Sequence, residues 1–175
     1  WFKPAVAGLL VGSASIYLPQ IRGVGYDTVE AILNQAPLPL MLLVALGLAK
    51  LIFTPVSIGG GFLGGVFAPA LFIGAALSGG YGIWIDGFMT RVNLEPASFA
   101  MVGMAAVLAG AIHAPLTAIL LLFEMTNDYR IILPLMFAVT VSLLLSQRIQ
   151  RDSVYMLSLA RKGVRIERGR DVEVL

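Results

Sequence analysis

The sequence has 175 residues, of which 58% are hydrophobic and only 13% are charged, and its mean hydropathy is +0.89. Because soluble domains carry about 25% charged residues, this composition excludes an ordinary soluble domain and predicts a protein embedded in a membrane. The absence of cysteine excludes disulfides and thiolate metal sites, and a single histidine leaves little material for a metal centre. We therefore expect neither a metal nor a cofactor.

The chain begins with an apolar segment at residues 3–19, whose length of about 17 residues is marginal for a membrane span. It has no initial methionine and no cleavable signal pattern, so we expect an internal piece of a longer protein. A polar connection follows at residues 19–30, where Asp27 or Thr28 is expected to cap a short helix.

The second apolar segment covers residues 37–55 and is interrupted only by Lys50. A lysine near the end of such a segment usually extends its charged group to the membrane interface, while its stem stays in the apolar layer. We expect this position for Lys50.

A glycine-rich stretch at residues 59–71 lies within the longest run without charge, residues 51–85. Pro69 follows the glycines and suits the first turn of a helix, which predicts a helix over residues 66–88. A helix start exposes unpaired N–H groups and carries roughly half a positive charge, which is costly in an apolar layer unless an anion uses it. The stretch therefore indicates either an anion site or glycines that only allow helices to pack.

Residues 59–64 also match the pattern G-x-G-x-x-G, and Asp86 follows about 20 residues later, as in a dinucleotide-binding fold. We reject this interpretation because both flanks are apolar on every face. The rhythm of alternating strands and amphipathic helices that the fold requires is absent.

The following segments are short apolar helices. One covers residues 97–112, the next covers residues 116–125 and is too short to span a membrane, and the last long one covers residues 131–147. Pro115 is expected in the first turn of the second of these helices, with His113 as its cap. Glu124 is a carboxylate deep in an apolar stretch, and such an acid is a candidate for function. We favour the alternative, a structural hydrogen bond close to the helix end, next to Thr126 and Asn127.

The last residues of the sequence differ in composition from the apolar segments before them. A further helix is predicted at residues 154–162, and residues 163–175 alternate apolar and charged residues, as in a strand that enters a soluble domain. Seven of the twelve basic residues lie within residues 148–170, which predicts a cytoplasmic location for this end. A nucleic-acid-binding tail is disfavoured because aromatic residues do not alternate with the basic ones.

The helices taken together are short or are interrupted by glycine and proline within apolar segments. This organisation predicts an all-α, polytopic membrane protein with broken, tilted helices, as transporters use around a binding site. Residues 64–69 resemble the anion-filter helix of the CLC family of chloride channels and proton-coupled chloride exchangers. Residues 113–117 and 124–129 resemble a helix pair near the C-terminal membrane end of that family, and Tyr155 matches its filter tyrosine.

The resemblance implies roles for particular residues. The backbone N–H groups of Val66 and Phe67 would bind chloride, and the Tyr155 phenol would donate to the ion from the cytoplasmic side. The filter loop would comprise Gly64, Gly65, Ala68 and Pro69. An aromatic residue of the membrane-interface belt is the alternative for Tyr155.

The resemblance also implies the second half of an inverted-repeat CLC fold in the plasma or inner membrane, with multiple passes and no enzymatic activity. Residues 1–162 would form the C-terminal part of the transmembrane domain, and residues 163–175 would lead to a regulatory domain of the CBS type. The lipid bilayer and a second copy of the chain would be its partners. The homodimer contact is expected on the helices of residues 116–125 and 131–147.

The function implied is chloride transport, either through a voltage-gated channel or by exchange with protons. The family's Gly-Ser-Gly-Ile-Pro segment and its Gly-Arg-Glu-Gly-Pro segment, which carries the gating glutamate, do not occur in this sequence. Phe62 and Leu63 are also bulkier than the small residues that usually precede the last glycine pair. A non-transporting membrane scaffold and a carrier from another inverted-repeat family are the alternatives.

Overall fold

The computed structural model describes residues 2–89, 95–126 and 128–160, together with the backbone of residues 164–165 and 173–174. Over these residues the chain forms eight α-helices and two short strands. The helices are α1 (Phe2–Tyr17), α2 (Tyr26–Leu33), α3 (Leu40–Gly59), α4 (Phe67–Phe88), α5 (Pro96–Ile112), α6 (Pro115–Thr126), α7 (Ile132–Ile149) and α8 (Val154–Ala160). Single 3₁₀ turns at Pro19–Ile21 and Tyr129–Ile131 precede α2 and α7.

The centre of the fold is α4, which packs most extensively along α5 and also along α3. Small residues allow this close approach: a Cβ atom added at Gly74 would lie 2.6 Å from the Gly103 carbonyl oxygen, and one added at Gly103 would overlap Ser78 Oγ. Such small-residue contacts are the usual way in which helices pack in membranes, where dispersion forces replace the hydrophobic effect. Phe72 on α4 and Met104 on α5 are fully buried in this core.

The contact between α5 and α7 contains two hydrogen bonds from side chains to backbone. Ser142 Oγ donates to the Ala106 carbonyl (2.7 Å), and Ser146 Oγ donates to the Gly110 carbonyl (2.6 Å). The two serines are four residues apart and lie on the same face of α7, so they fix the register of α7 against α5.

Among the residues that the structure describes, three helical stretches are long and apolar enough to cross a membrane: Leu40–Gly59, Phe67–Phe88 and Tyr129–Ala160. The helices Phe2–Tyr17, Pro96–Ile112 and Pro115–Thr126 are apolar but shorter. This confirms the predicted all-α, multi-pass architecture and the prediction that the helix beginning at Pro115 is too short to span.

The strands β1 (Val164–Arg165) and β2 (Glu173–Val174) pair antiparallel, with Val164 opposite Val174. They lie in the segment for which the sequence predicts a strand. The rest of that segment, and residues 161 and 162 at the end of the predicted helix 154–162, lie outside the described residues.

Two predicted helix caps are wrong. The cap of α2 is Gly25, which adopts a left-handed conformation with φ of +81°, and neither Asp27 nor Thr28 acts as a side-chain cap. His113 does not cap α6. It ends α5 in a left-handed conformation (φ +56°), and its Nε2 lies 3.2 Å from Ser146 Oγ on α7. Interaction with this more distant serine prevails over a local capping bond. Pro115 does begin α6, as predicted.

Candidate functional site

The first turn of α4 has backbone donors without acceptors. Val66 precedes the helix, its carbonyl accepts from Ala70 N (3.0 Å), and its side chain makes no capping bond. Pro69 has no N–H group. Apart from hydrogen bonds within helices, no backbone carbonyl of the described residues accepts a hydrogen bond from the N–H groups of Val66, Phe67 or Ala68. The 22-residue helix therefore presents unpaired donors at its positive end.

A cavity of about 830 Å³ opens at this end of α4. Its walls come from α1, the connection between α1 and α2, the C-terminal half of α3, the glycine-rich loop and the first turn of α4. The residues on the α4 side of this cavity are Phe62, Leu63, Gly64, Gly65, Phe67, Ala68 and Pro69.

The glycines of the loop fall into two groups. A Cβ atom at Gly64 or Gly65 would meet no atom of the described residues within 4 Å, and neither residue has a positive φ. In contrast, a Cβ atom at Gly60 would overlap the Ala7 side chain, and Gly61 has a φ of +94°. Packing or backbone conformation therefore requires glycine at positions 60 and 61. At positions 64 and 65 the absent side chains leave the cavity open instead.

Lys50 lies beside this cavity and is only 4% exposed. Its Nζ donates to the carbonyls of Ile21 (2.9 Å) and Gly23 (2.7 Å), and it lies 5.0 Å from the centre of the Phe72 ring. The expectation that Lys50 reaches the membrane interface is wrong. The two carbonyls and the aromatic ring stabilise the buried ammonium group, so it does not need bulk water.

Arg22 is the second charged residue that lines the cavity, and it is exposed. Its Nη2 donates to the Ser15 carbonyl (3.3 Å). Among the described residues that line the cavity there is no aspartate or glutamate. The cavity thus combines two cations with a helix N-terminus, and this arrangement favours an anion.

The family model described as voltage gated chloride channel matches residues 1–147 of the chain. The chain belongs to this family. A ClcB-like protein of Ralstonia nicotianae is 41% identical over 157 residues, which are 90% of this chain and 36% of that protein. The voltage-gated ClC-type chloride channel ClcB of Escherichia coli is 37% identical over 162 residues, or 90% of this chain and 37% of the channel.

A solved structure is similar as well. The crystal structure of a slow cyanobacterial Cl⁻/H⁺ antiporter matches with a TM-score of 0.69 and 31% sequence identity, covering 77% of this chain and 31% of that one. The chain therefore spans about a third of the length of these relatives. The predicted membership of the CLC family and the predicted fold are both confirmed.

The chain brings together only some of the residues that the CLC resemblance assigns to the filter. Gly64, Gly65, Phe67, Ala68 and Pro69 line one cavity, and Val66 lies half-buried next to it. Tyr155 on α8 is 45% exposed and is not among the residues that line this cavity. The backbone carbonyl of Tyr155 accepts a hydrogen bond from Ser158 Oγ (2.8 Å).

Glu124 is exposed on α6, and no described residue forms a hydrogen bond with its carboxylate. Its expected structural hydrogen bond is therefore not found within the described residues. Asn127, one neighbour considered for it, lies outside them.

The sequence did not lead us to expect Lys50 and Arg22 among the residues that line this cavity. A signal for Lys50 was present, since it is the only charged residue between Glu30 and Asp86. An ionisable residue within a membrane segment is a candidate for function by default. Arg22 gave no comparable signal, because a basic residue in a polar connection is ordinary.

Proposed function

We propose that the protein transports chloride across the membrane and that the cavity at the start of α4 is one wall of the anion pathway. The observation that carries this proposal is the combination of unpaired backbone donors with a cavity that has two cations and no carboxylate among its described lining residues. The names of the relatives, a chloride channel and a Cl⁻/H⁺ antiporter, support chloride as the anion. The proposal covers both a channel and an exchanger.

The N–H groups of Val66 and Phe67 are the donors that we assign to the ion. Moving an ion into a low-dielectric interior costs on the order of 20 kcal/mol in the idealised limit. A hydrogen bond to a charged group returns roughly 1.5–3 kcal/mol. Two amides and a helix end cannot offset this cost, so the site needs further walls or water. Backbone donors nevertheless suit transport, because a site must also release the ion.

Tyr155 is the third donor in this proposal and acts from the cytoplasmic side. The side chain of Tyr155 on α8 is partly exposed, which leaves space for other parts of the protein to pack against it and complete the anion site. This exposure supports the assignment. The basic residues that follow α7 support a cytoplasmic C-terminal tail. In the proposal this tail leads to a regulatory domain of the CBS type.

We assign the homodimer contact to α6 and α7. These helices expose several large apolar side chains, among them Leu116, Leu120, Leu133 and Phe137, the last two with 77% and 73% of their surface exposed. Exposed apolar side chains of this kind fit either lipid or a second copy of the chain. Each subunit would contain its own anion pathway.

Chloride flux from liposomes that contain the full-length protein tests the proposal. An imposed pH gradient that drives chloride uphill would identify an exchanger. Chloride flux that follows only the chloride gradient and the membrane potential would identify a channel. Flux no greater than in protein-free liposomes, from protein that is folded and inserted, would contradict the proposal and favour a membrane scaffold. Flux that depends on a cation instead of chloride would indicate another type of carrier.

A further inference from the structure

The connection between α1 and α2 forms part of the cavity wall. Its residues 21–24 all line the cavity. Its contacts include two hydrogen bonds from Lys50 Nζ to its carbonyls, one from Arg22 Nη2 to the Ser15 carbonyl, and the packing of Gly25 against the Phe72 ring. A Cβ atom at Gly25 would lie 2.5 Å from Phe72 Cδ2, so the ring touches the backbone there.

Lys50 and Arg22 have different electrostatic surroundings in this arrangement. The ammonium group of Lys50 is buried, and two of its three donors are used by backbone carbonyls. The guanidinium group of Arg22 is exposed, donates to one carbonyl, and forms no ion pair within the described residues. Arg22 is therefore the cation that remains available to a mobile anion, and Lys50 holds the backbone on both sides of it.

We infer that Arg22 is an anion-recruiting residue at the cavity and that Lys50 is the positioning residue that fixes the connection carrying it. The ligand is a small inorganic anion such as a halide. The inference rests on the proposed anion pathway and adds a second, more exposed site to it. The exposed arginine raises the local anion concentration before the ion reaches the first turn of α4.

The local charge can be measured without transport. The sequence contains no cysteine, and Val24 lines the cavity and is partly exposed, so Val24→Cys can serve as a single reporter in a cysteine-free background of the full-length protein. The measurement is the ratio of its modification rates by an anionic sulfonate and a cationic trimethylammonium methanethiosulfonate, at low ionic strength. Arg130→Gln, a matched change at another exposed arginine that does not line the cavity, is the control.

Arg22→Gln is expected to lower this ratio about fivefold, because a unit charge about 8 Å away in water changes the two modification rates by roughly twofold each, in opposite directions. The difference should shrink when sodium gluconate raises the ionic strength, because salt screens exposed charges. Arg130→Gln should leave the ratio unchanged. An equal ratio in Arg22→Gln and Arg130→Gln would overturn the inference.

Lys50→Gln tests the positioning role. We expect it to lower the ratio as Arg22→Gln does, and the double variant to show little further change, because both substitutions act through the same guanidinium. Additive effects would mean that the Lys50 charge acts directly, and they would overturn the positioning role. Lys50→Arg should restore the ratio, since a guanidinium also donates to two carbonyls. Should no Lys50 variant fold, the Arg22 comparison still decides the recruiting role.

Chloride flux separates this inference from the proposed function. Arg22→Gln should raise the chloride concentration for half-maximal flux about threefold, with little change in the maximal rate, because recruitment affects entry. An absence of flux in the wild-type protein would contradict the proposed function. Normal flux with a half-maximal concentration that Arg22→Gln does not change would contradict only the recruiting role.

Discussion

The loop just before α4 and the middle of α4 both contain glycines, but these glycines have different surroundings. Gly74 in the middle of the helix touches the backbone of α5, so a side chain there has no space. A Cβ atom added at Gly64 or Gly65, just before the helix, would meet no described atom within 4 Å. Glycine therefore allows helices to pack at one place and leaves the backbone open at another, and only the surroundings of each glycine distinguish these two roles.

The largest expected effect is on the packing of α4 against α5 at Gly74. Gly74→Leu should destabilise the protein by roughly 3 kcal/mol or more, because overpacking against backbone atoms has no cheap relief. The yield of monodisperse full-length protein in detergent measures this effect. Gly87→Leu on the same helix is the control, since a Cβ atom at Gly87 meets no described atom within 4 Å. Normal stability of Gly74→Leu would show that the described α4–α5 contact is wrong.

The open loop at Gly64 and Gly65 predicts the opposite outcome, in which transport is lost and stability is kept. Gly65→Leu should leave the folded yield and the thermal stability unchanged, since neither space nor a positive φ opposes a side chain there. Chloride flux in liposomes should fall about tenfold or more, because the side chain blocks donors whose hydrogen bonds to an ion are worth roughly 1.5–3 kcal/mol each. Unchanged flux in this variant would remove the loop from the anion pathway.

Tyr155→Phe tests whether the open first turn acts together with a donor from α8. The substitution keeps the ring and removes only the hydroxyl group, so an aromatic residue of the interface belt would tolerate it. We expect the chloride affinity, measured by titration calorimetry of the full-length protein, to fall about tenfold through loss of one hydrogen bond to the ion. An unchanged affinity would leave the N–H groups of α4 without this partner.

The smallest expected effect concerns the hydrogen bonds between the packed helices α7 and α5. Ser142→Ala removes one hydrogen bond from α7 to α5. Interhelical hydrogen bonds in membrane proteins contribute about 0.6 kcal/mol on average, so the unfolding free energy in micelles should change by about that amount. Thr140→Ala is the control, because Thr140 bonds within its own helix, to the Met136 carbonyl. Loss of folding in Ser142→Ala would mean that this contact contributes much more than such bonds usually do.

Local sequence signals predicted much of the fold. Pro69 and Pro115 each mark the first turn of a helix, and the predicted helix over residues 66–88 agrees with α4 to within one residue. The end of α3 was less predictable, because the helix continues past Pro55 to Gly59. A proline one turn before a helix end removes a single bond, and packing can compensate for that loss.

The parts that the sequence could not predict depend on contacts between distant residues. Lys50 is buried because two carbonyls more than 25 residues earlier in the chain accept its hydrogen bonds, and no local pattern contains that information. His113 ends one helix and lies near Ser146, 33 residues later. The loop at residues 64–69 was singled out by its resemblance to the CLC filter helix, and its filter role stays a prediction. Its openness at Gly64 and Gly65 became visible only with the three-dimensional arrangement.

In the proposed pathway, the first turn of α4 binds an anion in the cavity that Gly64 and Gly65 leave open. Crystals of the full-length protein soaked in bromide test it most directly, because bromide replaces chloride and its anomalous scattering locates the ion. We expect an anomalous peak within hydrogen-bonding distance of the Val66 and Phe67 amide nitrogens, and no such peak in Gly65→Leu. Bromide peaks elsewhere, with none at this turn in the wild-type protein, would contradict it.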